Sequence, residues 1–170
     1  MSTLISEEYR QLNGQLHQTN DAYGRSGHKW AADIRELANI CAARTILDYA
    51  CGKATLASAL ADKTVICYDP CMPQFSDLPD PADLVVGSDF LEHVEPDCLE
   101  AVLDDLQRLT LKAVFLVVAT RPAKKILADG RNAHLIQEPY SWWLPKIMHR
   151  WTIQSFANYG GEFVVMGSKQ

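Results

Sequence analysis

Short apolar runs alternate with amphipathic stretches along most of this chain. Ile46–Leu47, Val65–Ile66–Cys67, Leu84–Val85–Val86 and Val114–Phe115–Leu116–Val117–Val118 are apolar at successive positions. Such runs predict strands buried on both faces, at residues 45–49, 64–70, 83–88 and 114–118. Between them the period changes. Trp30, Ile34, Leu37 and Ile40–Cys41 recur at helical intervals and predict a helix over residues 29–43. A second helix is expected over 54–62, and Leu99, Val102–Leu103 and Leu106 place a third over 96–109. Tyr9, Leu12 and Leu16 mark one face of an N-terminal helix ending near Asn20, and the two glycines of Tyr23–His28 mark a loop.

Two regions break the alternation. The proline-rich passage from Cys71 to Pro81 is too short for a helix plus a strand. Beyond the fourth strand, Arg121 to Ile136 has no period and reads as a long functional loop. A helix around Tyr140–Met148 follows, interrupted by Pro145. Trp151–Phe156 and Glu162–Met166, joined by Gly160–Gly161, predict an antiparallel hairpin at the sheet edge. Alternating buried strands and helices imply an α/β fold, a mostly parallel sheet with helices on both faces.

In such sheets ligands bind at the carboxyl ends of the strands. Asp48, Asp69 and Ser88–Asp89 all fall at those ends. In Thr45–Ala54 a strand ending in an acid feeds a small-residue turn and then a helix. Gly52 lets a ligand approach the backbone, and a helix N-terminus offers unpaired N–H groups. The acid repels a diphosphate, so hydroxyls or a cationic amine suit this turn better than a dinucleotide. A nicotinamide-dependent oxidoreductase is a poor match too, since Gly52 stands alone where G-x-G-x-x-G is needed.

Thr45–Ala54 resembles the first motif of class I S-adenosylmethionine-dependent methyltransferases, (D/E)-x-G-x-G-x-G. Asp48 and Gly52 match the acid and the middle glycine; Ala50 and Ala54 replace the first and third. Alanine is expected to exclude the positive-φ conformations that glycine allows. Gly87–Val94 is similar to the family's fourth-strand segment, which often ends Leu-Glu-His, and the closing hairpin also fits. The resemblance implies a three-layer Rossmann-like domain: N-terminal helices over 1–44, a cofactor-binding core over 45–119, a substrate region over 120–150 and a closing hairpin over 151–170. It implies S-adenosylmethionine as cofactor, with S-adenosylhomocysteine as product. Asp48, Ala50, Gly52, Asp69, Pro70, Ser88 and Asp89 would contact it, with Asp69 on the ribose hydroxyls and Asp48 near the methionyl amine. His93 is a candidate base for the acceptor, against a structural role in the pocket.

Composition narrows the acceptor. Net charge is −5, which argues mildly against wrapping nucleic acid, yet residues 121–150 hold six Lys/Arg against two acids. Arg121, Arg131, His134 and Trp142 are the candidate substrate residues, and a small anionic metabolite, such as a phosphorylated or acidic sugar, is the favoured acceptor. A nucleotide or nucleic-acid base is the alternative, and a non-catalytic cofactor-binding partner subunit is the second class. Tyr23, Gly24 and His28 are candidates for covering the cofactor. Glu92, His93 and His134 are metal-ligand types without close spacing, so no metal is expected. Five cysteines without a C-x-x-C pair, no apolar run long enough to span a membrane and no secretory signal at Met1–Glu8 point to a cytoplasmic protein.

Overall fold

A computed structural model describes residues 3–170; Met1 and Ser2 of the stretch read for a secretory signal lie outside the described residues. Six strands form one sheet: β1 (Thr45–Tyr49), β2 (Thr64–Tyr68), β3 (Ala82–Ser88), β4 (Thr110–Ala119), β5 (Trp151–Asn158) and β6 (Glu162–Lys169). Their order is β2-β1-β3-β4-β6-β5. The first four are parallel, while β6 runs antiparallel to both β4 and β5. The chain leaves β1 toward β2 and then crosses back to β3. That reversal is where open α/β sheets hold ligands, outside the carboxyl ends of the strands.

Side chains on a strand alternate between faces, and two apolar layers result. Leu84, Val86, Phe115 and Val117 meet Ile34 and Ala38 of α2 (Ala31–Ile40) and Leu56 of α3 (Thr55–Ala59). Val85, Val114, Leu116 and Val118 meet Leu103 and Leu106 of α4 (Leu99–Leu109) and Trp143 and Ile147 of α5 (Tyr140–Met148). A smaller cluster joins Tyr9 of α1 (Glu7–Thr19) to Leu127 and Ala133, so the N-terminal helix packs on the long loop.

Several expectations shift in detail. The helix read over 29–43 is a 3₁₀ turn, Gly27–Trp30, followed by the shorter α2. Residues 69–81 form no strand and no α-helix, only a 3₁₀ turn at Pro73–Phe75. Pro145 does not interrupt α5. Its missing N–H forgoes one intrahelical bond, and the fully buried Trp143 and Ile147 hold both sides of it. Two cations of the basic segment serve the fold. Arg150, 4% exposed, pairs with Asp104 at 2.6 Å and Glu100 at 2.8 Å, and Lys146 pairs with Glu100 at 2.9 Å. These pairs fasten α5 to α4.

The turn after β1 overturns another expectation. Ala50 and Ala54 both adopt positive φ, 61° and 53°, on either side of Gly52 at 52°. The backbone keeps the left-handed geometry at all three positions, and the two methyls bear the cost, about 1–2 kcal/mol per residue. Ala54, half-buried before α3, is the cleaner site to relieve. We expect Ala54→Gly to raise the unfolding free energy by about 0.5–1 kcal/mol in urea titrations with an unchanged slope, because glycine removes the strain but loses more chain entropy. Destabilisation would mean that the methyl packs favourably enough to outweigh its own strain.

Candidate functional site

A cavity of about 610 Å³ opens at the carboxyl ends of β1, β2 and β3, beneath α1 and the loop after β4. Asp48, Ala50, Gly52, Asp69, Pro70, Ser88 and Asp89 all line it. The topology explains this convergence: adjacent parallel strands end level with one another, and each predicted residue lies at or just past such an end.

The turn itself is built differently from expectation. Gly52 N–H donates to Asp69 Oδ2 at 2.9 Å, and Cys71 N–H donates to Asp69 Oδ1 at 2.8 Å. Lys53 N–H donates to the Gly24 carbonyl at 2.8 Å, Cys51 N–H to Tyr68 at 3.0 Å, and Ala54 N–H to Cys51 at 2.9 Å. The amides of 51–54, expected to stand free for a ligand, are therefore bonded within the protein. A Cβ on Gly52 would lie 2.6 Å from the Gly24 oxygen, so the glycine serves the approach of the N-terminal loop. Each Asp69 oxygen keeps a further lone pair.

Burial sets the protonation states of the wall. The Asp48 carboxyl is 3% exposed and its pKa is raised by desolvation, then by the nearby Cys67 and Asp69. Asp69 is also pushed up by burial, against the lowering effect of its amide donors and His17. Glu92 is fully buried, its two carboxyl oxygens have no close hydrogen-bond partner among the described residues, and desolvation raises its pKa well above the usual range against the lowering effect of the nearby Glu92 and Ala119 amides. The imidazoles move the opposite way. Burial lowers His17 and His134, and it takes His93 down to about 3 with help from neighbouring His134. The deep wall is polar yet poor in compensating charge. The rim carries Arg25, Lys29, Arg121, Lys124 and Lys125.

Of the predicted substrate residues, Arg121 and His134 line the cavity, whereas Arg131 and Trp142 do not. Arg131 is folded onto Asp129 at 2.6 Å outside it. Trp142 borders a separate cleft, with Lys146 Nζ 4.6 Å from its ring centre, while Trp143 is core. Tyr23 and Gly24 do cover the cavity from the N-terminal side, but His28 is not among the lining residues. His134 Nδ1 lies 2.6 Å from the Arg121 carbonyl. A carbonyl only accepts, so Nδ1 carries the proton and Nε2 is left bare. His93 Nδ1 lies 3.3 Å from the Tyr23 hydroxyl, and the two imidazole rings meet edge to face at 4.8 Å.

The spacing argument against grouping Glu92, His93 and His134 fails in the fold. Ile136 N–H donates to the Glu92 carbonyl at 3.0 Å, which lays the loop beside the turn after β3. One ligand-type atom from each of the three residues lies within 4.8 Å of the others. Tyr9, Asn13 and His17 of α1 also line the cavity, whereas the sequence had marked Tyr9 only for an apolar face and Asn13 and His17 not at all. Their signal was a spacing of four residues, which stacks the three on one face of the helix.

No protein-family model and no curated protein sequence matches this chain. Solved structures do match it in fold. The magnesium protoporphyrin IX methyltransferase of Synechocystis PCC 6803, with S-adenosylhomocysteine bound, superposes at TM-score 0.63 with 12% identity, over 98% of this chain and 88% of that one. An N-methyltransferase of Bradyrhizobium japonicum WM9, also with S-adenosylhomocysteine, gives 0.63 and 12% over 95% and 98%. A Burkholderia thailandensis 1,6-didemethyltoxoflavin-N1-methyltransferase gives 0.60 and 14% over 94% and 84%. The fold is that of the class I methyltransferases.

His93, half-buried at the cavity wall, gives a pH signature. His93 stays neutral in the folded chain down to about 3, against an ordinary value of 6.5. Between those values the unfolded chain binds more protons, so stability falls as pH drops below 6.5. We expect urea unfolding to lose on the order of 2 kcal/mol more for the wild type than for His93→Gln between about pH 7 and pH 5. Equal losses would place the imidazole in contact with bulk water.

Proposed function

We propose that this protein transfers the methyl group of S-adenosylmethionine to an oxygen or nitrogen of a small anionic metabolite, with a phosphorylated or acidic sugar as the favoured class. One observation carries the cofactor reading: two buried carboxyls, Asp48 and Asp69, stand at the ends of neighbouring strands, and among the described residues no cation is paired with Asp48. A carboxylate in that state is costly, and a ligand ammonium offsets the cost directly. The amino group of the methionyl arm supplies it. Asp69, with lone pairs to spare, would accept from the ribose hydroxyls, and Ala50, Gly52 and Pro70 would border the cofactor. Ser88, the last residue of β3, and Asp89, just past it, would lie toward the sulfonium. The similarity to methyltransferase folds bound to S-adenosylhomocysteine supports the same assignment.

In the reaction, a lone pair of the acceptor atom forms a bond to the methyl carbon. The carbon–sulfur bond breaks, its electron pair stays on sulfur, and neutral S-adenosylhomocysteine remains. Position and exclusion of water supply most of the rate, since the reacting charge is already on the cofactor. The acceptor enters on the side of Arg121 and His134, where the basic rim attracts an anion. His93 is the group placed to take the acceptor's proton. Its weak basicity confines that role to acceptors that lose their proton as the methyl arrives.

The first test is a thermal-shift titration with S-adenosylmethionine, S-adenosylhomocysteine and NAD. Saturation near 100 times the dissociation constant adds about 2.7 kcal/mol, which raises the midpoint by roughly 5–11 °C. Both sulfur compounds should shift the chain and NAD should not; the reverse pattern would overturn the cofactor reading. Asp48→Asn should then move two quantities in opposite directions. Stability at neutral pH rises, because a carboxyl whose folded pKa lies above its unfolded value costs stability once pH exceeds the unfolded value. Affinity for S-adenosylhomocysteine falls by about 1.5–3 kcal/mol, the worth of a hydrogen bond to a charged group. Unchanged affinity by calorimetry would mean that the amine binds elsewhere.

A further inference from the structure

We propose that Glu92, His93 and His134 form a binding site for a divalent transition-metal ion on the acceptor side of the cavity. The role assigned to the ion rests on the methyl-transfer reading, whereas the site itself stands on its own geometry. Two imidazoles and a carboxylate present one donor atom each, and these lie within 4.8 Å of one another. All three residues line the cavity, so the remaining coordination positions face its interior. Loading the site draws the three side chains inward by under about 1 Å each, toward the 2.0–2.2 Å bonds of such ions.

Glu92 is the decisive residue. A glutamate with no exposure and no close hydrogen-bond partner among the described residues is rare, because the nearby Glu92 and Ala119 amides compensate only weakly for the water the carboxyl has lost. It sits in a 3₁₀ turn, Leu91–His93, with its main-chain carbonyl held by Ile136, so its position is fixed by the fold. A dication supplies what the surrounding protein does not. The charge of Asp89 also acts on both Glu92 and His134, while Arg121 and Lys125 oppose it from the loop.

The imidazoles are prepared for the same task. His134 donates from Nδ1 to the Arg121 carbonyl, which turns its bare Nε2 away from that bond. A metal-bound histidine is commonly held this way, by a carbonyl on its other nitrogen. A His93 imidazole engaged with the ion has no lone pair left for a proton, so in the loaded site the acceptor's proton leaves to solvent rather than to His93. With the ion in place, the acceptor's oxygen or nitrogen is fixed by coordination and is made more acidic by it. Donors of this kind select zinc, cobalt, manganese or iron over magnesium and calcium.

Cobalt(II) is a suitable probe, because its visible absorption reports coordination directly. Titration of the chelator-treated protein with Co²⁺ should show one saturable site with ligand-field bands, and excess Mg²⁺ should not displace it. Glu92→Gln and His134→Asn, each checked for native circular dichroism, should weaken Co²⁺ binding tenfold or more. His93→Gln provides a third variant should one of these fail to fold. No saturable binding at millimolar Co²⁺, affinity unchanged in the folded variants, or displacement by Mg²⁺ would each overturn the site. S-adenosylhomocysteine binding is measured in parallel with chelator present. Its absence overturns the methyl-transfer reading, whereas its retention without Co²⁺ binding overturns the metal site alone.

Discussion

The cavity depends on one close approach, that of the Gly24 backbone to the Gly52 backbone. Lys53 N–H reaches the Gly24 carbonyl at 2.8 Å, and a side chain at Gly24 or at Gly52 would occupy the space between the two strands of chain. This contact brings the N-terminal segment over the ends of the parallel strands. Tyr23 then faces His93, and the α1 row of Tyr9, Asn13 and His17 becomes a wall. Asp69 gives the second hold, since its two oxygens bridge the amides of Gly52 and Cys71. A sheet that ended without these contacts would present a set of acids to open water.

The electrostatic character of the site follows from that closure. Carboxyls and imidazoles lie together under the N-terminal segment with few opposite charges beside them. Asp48, Asp69, Glu92, His17, His93 and His134 are displaced toward their neutral forms by loss of water, which is the least expensive response available to an unpaired group. The unfavourable burial is tolerated because the two apolar layers flanking the sheet provide the stability. Local departures from good packing and good pairing are expected where a protein binds something. The left-handed alanines flanking Gly52 belong to the same pattern of locally unfavourable structure.

The sheet was legible because strands buried on both faces leave continuous apolar runs, and their ends could be counted. Asp48, Asp69 and Ser88–Asp89 could therefore be placed at one edge from the sequence. The long loop could not be read in the same way. Its path is set by non-local bonds, such as Ile136 to Glu92 and His134 to Arg121, which leave no periodic trace. Charge counting over 121–150 grouped cations with different duties. Arg150 and Lys146 fasten α5, Arg131 turns back on Asp129, and Arg121, Lys124 and Lys125 reach the rim. The left-handed turn was misjudged for a different reason. Glycine lowers the cost of positive φ, but its absence does not forbid that geometry when the flanking contacts are strong enough.

The start of α1 is held from far along the chain. Ser6 caps the helix by accepting from Tyr9 N–H, and it donates its own N–H and hydroxyl to the two oxygens of Glu95 at 2.8 and 2.7 Å. These partners are 89 residues apart. Loop closure over such a span is costly until the intervening strands have paired. During synthesis α1 is therefore made early and docked late. The wall that carries His17 is set only after β3 and the turn beyond it exist, so the cavity is complete only when folding is nearly finished.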